Sequence, residues 1–151
     1  MPANKYDKFF IQNPKISDWE PYHGDPRPKD GEPGNQRHVI YINNELVKMS
    51  STHVMINWID PQMRAERRND PERPSVFQHT HPYDEILLFI GNTPKDLGAV
   101  IEMEIGPERE KHLIDKQTAV FIPKGLKHCP LTWKKLEKPH VLVAISLADE
   151  Y

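Results

Sequence analysis

The stretch His79-Thr80-His81-Pro82-Tyr83-Asp84-Glu85 sets two histidines at i and i+2, followed by a proline-containing link and a glutamate. Strand side chains alternate between faces, so two histidines one residue apart on a strand point the same way and can reach one point. The Pro82-Tyr83-Asp84 link can turn the chain, which lets Glu85 open the next strand and return to that point. Two imidazoles and a carboxylate from one hairpin are a metal-ligand set, and the flanking sequence reads as strand on both sides.

Working outward, short β-like runs follow one another over residues 39–42, 53–59, 75–81, 85–90, 99–105, 118–122, 127–133 and 140–147. Period-two alternation is plainest where Ile101, Met103 and Ile105 interleave with Glu102 and Glu104. The breaks are turn chemistry, as in Gly91-Asn92-Thr93-Pro94, Gly106-Pro107 and Pro123-Lys124-Gly125. Residues 61–73 have helical composition but are cut by Asp70-Pro71, and read as a charged loop. Many short strands with no helix between them predict an all-β antiparallel sandwich or barrel. Residues 1–35 differ: Pro14, Pro21, Pro26, Pro28 and Pro33 preclude a helix, while Tyr6, Phe9, Phe10, Trp19 and Tyr22 argue against a solvated tail. The expected organisation is an extended N-terminal arm over 1–35 and a β-barrel over 36–151. The arm is expected to dock across the barrel or a neighbouring subunit, in a homodimer.

The 151 residues allow one core. No run approaches the 18 apolar residues of a membrane span, and the start of the chain has no apolar signal-peptide core. With 20 basic against 22 acidic residues, the charge offers no footprint for nucleic acid or an anionic membrane. One cysteine, Cys129, excludes an internal disulfide framework and suits a reducing cytoplasm. Following His128 on a strand, it is expected to face away from the metal-binding side as a small buried residue. Fifteen prolines are about twice ordinary usage, and the eight histidines mark where chemistry is to be sought.

A second motif, Pro123-Lys124-Gly125-Leu126-Lys127-His128, puts a proline-glycine turn just ahead of another strand histidine. With it the sequence resembles the cupin superfamily, whose motifs are His-x-His-x(3,4)-Glu-x(6)-Gly and Pro-x-Gly-x-x-His. His79, His81 and Glu85 match the first motif, with Gly91 one residue early, and Pro123, Gly125 and His128 match the second. Gln117 stands where the family often has glycine, and Thr132 where it often has asparagine. Over roughly residues 36–148 the resemblance implies a jelly-roll barrel with His79, His81, Glu85 and His128 holding a divalent ion (Fe, Mn, Zn or Ni). Four protein ligands leave up to two octahedral positions for water, substrate or dioxygen.

Alternation extends the site to a substrate pocket. Leu87 and Phe89 share the face of Glu85, Thr132 that of His128, and His53 and Asn57 lie on a mixed face with Met55. Tyr83 is a candidate proton donor or substrate anchor, with packing at the hairpin as the alternative. Arg64, Arg67 and Arg68 read as a solvated loop, and His23, His38, His112 and His140 as surface or satisfied histidines. The functional expectation is a metal-dependent enzyme acting on a small oxygenated organic molecule. Oxidative, dioxygenase-like chemistry leads, with lyase, isomerase and decarboxylase chemistry close behind. The alternative is a non-catalytic ligand-binding or sensing module.

Overall fold

A computed structural model describes residues 5–12, 14–16, 39–61 and 78–148. Nine strands run through them: β1 (Lys15–Ile16), β2 (Val39–Ile42), β3 (His53–Ile59), β4 (Glu85–Ile90), β5 (Ala99–Ile105), β6 (Glu110–Ile114), β7 (Thr118–Ile122), β8 (His128–Leu136) and β9 (His140–Ser146). They form a six-stranded antiparallel sheet in the order β1-β2-β3-β9-β4-β7 and a three-stranded antiparallel sheet in the order β6-β5-β8. The all-β antiparallel expectation is correct. No helix among the described residues is long and apolar enough to cross a membrane.

The core lies between the two sheets. Met55, Ile59, Leu87, Phe89, Leu142 and Ala144 enter it from the larger sheet, and Ile101, Met103, Leu131, Trp133 and Leu136 from the smaller. On β3, β4 and β5 the buried residues fall on alternate positions, as the sequence pattern requires. Gly91 follows β4 where the Asp96 carbonyl passes so close that a Cβ would lie 2.0 Å from its oxygen. Only glycine permits that turn.

Register in the larger sheet sorts its inward side chains into cross-strand rows. His53, Ser146, Glu85 and Ile122 form the row at one mouth. Met55, Ala144, Leu87 and Val120 form the next, and Asn57, Leu142, Phe89 and Thr118 the one beyond. Four residues of strand, about 13 Å, separate the first row from the third.

Three expectations need correction. β8 runs on to Leu136, and its alternation is the reverse of that expected: Leu131 and Trp133 are buried and Thr132 is exposed. The cause is a bulge. His128 pairs with Ile105 and Leu131 with Met103, so three steps along β8 match two along β5, and the extra residue inverts the phase. A second irregularity between Val100 and Ile101 brings Leu136 opposite Ala99 and back into the core. Thr132 is therefore not a pocket residue. β6 was not anticipated, because Glu110–Leu113 is exposed and only Ile114 is buried; it is a charged edge strand. Of the 75–81 run, residues 75–77 lie outside the described residues, and His79 makes an isolated bridge to His128.

In the arm, Lys15–Ile16 pairs with the edge strand β2, and Tyr6, Phe9 and Phe10 are exposed. Trp19, Tyr22 and the arginines of the 61–73 loop lie outside the described residues.

Candidate metal centre

Two loops bring the four motif residues to one mouth of the barrel, and backbone hydrogen bonds lace those loops together. The His79 N–H donates to the His128 carbonyl and the His128 N–H to that of His79, each at 3.1 Å. The Gly125 N–H donates to the His81 carbonyl at 2.8 Å, and the Lys124 N–H to Asp84 Oδ1 at 2.8 Å. Gly125 holds φ +79, which explains the glycine of the second motif. Glu85 opens β4 between Ile122 of β7 and Ser146 of β9.

The four side chains converge. His79 Nε2 and His81 Nε2 are 3.1 Å apart, and the rings of His79 and His128 have centroids 4.3 Å apart. His81 Nε2 is 3.9 Å from Glu85 Oε1, and His128 Nε2 is 3.3 Å from Glu85 Oε2. His128 and Glu85 are 1% and 2% exposed. His128 Nδ1–H donates to the Leu126 carbonyl at 2.9 Å, and a carbonyl can only accept. Neutral His128 thus carries a lone pair on Nε2, which meets no hydrogen-bond donor among the described residues and faces a carboxylate oxygen. Two acceptors facing each other away from water need a proton or a cation between them.

A divalent ion suits this gap. Nitrogens each about 2.1 Å from one ion and at right angles are about 3 Å apart, which is the spacing of the His79 and His81 Nε2 atoms. Burial holds His81 well below its ordinary 6.5, at about 4; the Glu85 carboxylate pulls it up, while His79 and His128 push it further down. His81 is thus neutral near pH 7, the form that ligates.

Tyr83 approaches His81 from the side away from the cluster. Its hydroxyl is 3.1 Å from His81 Nδ1, and the two rings stack with centroids 4.9 Å apart. With Nδ1–H donating to the Tyr83 oxygen, Nε2 keeps its lone pair, so Tyr83 can fix both tautomer and ring orientation. Cys129 is buried as expected, but its sulfur lies within 4.8 Å of the ligand nitrogens of His79 and His128 rather than well away from them. The left-handed φ of 67 at Cys129 breaks the strand alternation on which the expectation rested. Burial, assisted by Glu85, pushes its thiol pKa up, so it is not a ready nucleophile.

No protein-family model and no curated protein matches the chain. Solved structures do. HppE in its Fe(II) form with the alternative substrate (S)-1-HPP aligns over 91% of this chain and 57% of its own, at TM-score 0.51 and 12% identity. A cupin protein from Bacteroides fragilis aligns over 77% of this chain and 80% of its own, at TM-score 0.46 and 15% identity. The chain has the cupin fold. KdgF from Halomonas sp. is also similar, over 81% of this chain and 86% of its own, at TM-score 0.47 and 16% identity. This cupin-fold chain spans about half the length of the HppE chains, 48% of one and 57% of another.

Within the cupin fold, His53 is buried in the same row as Glu85, two strands away, and Leu87 lies one row deeper. Asn57 and Phe89 are buried together in the third row, toward the centre of the core. Ser146, fully buried between His53 and Glu85 with no hydrogen-bond partner for its hydroxyl among the described residues, escaped the sequence reading. It is brought beside the site only by long-range pairing, for which no local pattern exists. His140 is buried, its Nε2 accepting from Trp133 Nε1–H at 3.2 Å. His112 is exposed against Glu110.

Proposed function

We propose that His79, His81, Glu85 and His128 hold one divalent ion and that the protein is a metal-dependent enzyme acting on a small oxygenated organic molecule. The observation that carries this is the His128 Nε2 lone pair set against the Glu85 carboxylate in a dry site. HppE, whose fold this chain shares, is known in an Fe(II) form, which is in keeping with a divalent ion in this chain. A bound ion supplies Lewis acidity toward a carbonyl or enolate oxygen or, if redox-active, a route to oxidative chemistry, which we favour.

The chain's own residues supply the rest. Burial lowers the pKa of His53, so its imidazole is neutral near pH 7 and can take a proton in the row beside Glu85. Ser146 offers a hydroxyl between them, and Leu87 an apolar wall that excludes water behind the mouth. The Tyr83 oxygen accepts from His81 Nδ1–H and keeps that ring in place.

Elemental analysis of protein purified without a metal-affinity tag tests the reading, followed by thermal melts with Fe(II), Mn(II), Zn(II) and Ni(II). The matching ion at about a thousand times its dissociation constant stabilises by about 4 kcal/mol, a rise on the order of 10 °C for a chain of this size. His81→Ala and His128→Ala abolish the rise and His112→Ala retains it. Equal responses in all three variants refute the centre. A redox-active ion supports oxidative chemistry, and zinc transfers the assignment to lyase or isomerase chemistry. Tight ligand binding without turnover by the metal-loaded protein makes it a binding module instead.

A further inference from the structure

The two sheets differ sharply on their outer faces. On the smaller sheet the outward face carries charge: Glu102 accepts from Lys111 Nζ at 3.1 Å and pairs with Lys134 Nζ at 3.2 Å. On the larger sheet every outward position of β3, β9 and β4 is apolar, and β7 continues the pattern. Its middle row is Ile56, Val143, Leu88 and Ala119. Trp58, Phe121 and Ile90 toward its margins are 60%, 55% and 39% exposed. An antiparallel sheet with a solvated face ordinarily alternates apolar inside with polar outside. Here both faces are apolar.

We propose that the outer face of β3, β9, β4 and β7 is the contact surface of a homodimer, packed sheet against sheet. Two considerations select a second copy as the occupant. The face carries no charge, so it offers nothing to an acidic or basic partner. A twisted sheet is complementary to another of the same twist, about 10 Å away and rotated by about 30°, and a two-fold axis supplies that partner from the same chain.

The size agrees. Four strands about 4.8 Å apart and five to seven residues long make a face of about 19 by 20 Å. With side-chain relief and the flanking β2, its accessible area is on the order of 700 Å², close to the roughly 800 Å² that each partner brings to a standard interface.

Sedimentation velocity on the full chain over a wide concentration range is the test. The expected result is a dimer. Leu88→Lys and Ile56→Lys raise its dissociation constant by roughly a hundredfold or more, since each buries an ammonium in the apolar contact. Thr132→Lys, on the outer face of the other sheet, leaves it unchanged. Far-UV circular dichroism confirms that each variant is folded. If a central lysine unfolds the sheet, Phe121→Glu, at an already exposed position, gives the same readout. A monomer at all concentrations, or a dimer that survives the folded substitutions, overturns the proposal. A monomer that keeps its metal-induced melting shift overturns the dimer alone and leaves the metal centre standing.

Discussion

Replacing Glu85 by glutamine separates the needs of the metal centre from those of the fold. In the metal-free protein a Glu85 carboxylate oxygen lies 3.3 Å from His128 Nε2, both all but inaccessible to water, and without a proton or a cation between them both are unsatisfied acceptors. An unsatisfied buried acceptor costs about 1–3 kcal/mol. The glutamine side chain has the same shape and presents an N–H to His128 Nε2, so it removes that cost without taking up a proton. Glu85→Gln is therefore expected to stabilise the metal-free protein by about 1–3 kcal/mol, a rise of roughly 3–10 °C in melting temperature. The same substitution removes the only anionic ligand of the set, so the metal-induced rise falls by most of its size. Paired melts with and without chelator, followed by circular dichroism, measure both effects on one sample. A metal-free variant that melts lower than the parent, or a metal-induced rise that survives intact, refutes the reasoning about the facing acceptors.

The metal-free protein is expected to lose stability as pH falls. His81 has a folded pKa near 4 against 6.5 unfolded, so the unfolded chain binds more protons between those values. This contribution is complete above 6.5, is lost progressively toward about 4, and amounts to about 3 kcal/mol; urea titrations across that range check it. Tyr83→Phe keeps the stacked ring but loses the hydroxyl at His81 Nδ1, and is expected to weaken metal affinity by roughly 10–100-fold with little change in metal-free stability, as isothermal titration would show. Phe89→Ala, at the centre of the core, is expected to cost about 3–5 kcal/mol in chemical denaturation while leaving metal affinity within a factor of a few.

Much of the larger sheet is legible in the sequence because its signals are local. His53–Ile59 and Glu85–Ile90 alternate cleanly between turn residues, and their bounds are those the pattern predicts. The four clustered residues are legible for a similar reason, since each belongs to a short motif whose turn places it. What escapes depends on a partner strand. Thr132 and Trp133 exchange faces because β8 takes an extra residue against β5, a feature set by pairing between Ile105 and His128. Glu110–Ile114 is a strand because β5 recruits it, despite a composition that reads as loop. Ser146 neighbours Glu85 only once β9 has inserted between β3 and β4.

The reciprocal hydrogen bonds between His79 and His128, with that from Gly125 to His81, lace the loop before β4 to the start of β8, and so stitch the two sheets at the mouth. Their amides are consequently reporters. Solvent reaches them when that lacing opens, and an opening that separates His79 from His128 also pulls apart the proposed ligand set. Their rate of deuterium uptake should then fall in proportion to the fraction of molecules left without the ion, about a thousandfold at a thousand times the dissociation constant. The amides of Glu137 and Lys138, which both donate to the Gly98 carbonyl, close a turn within the smaller sheet and should exchange at a rate indifferent to the ion. One molecule thus carries both the gauge of the mouth and its internal standard.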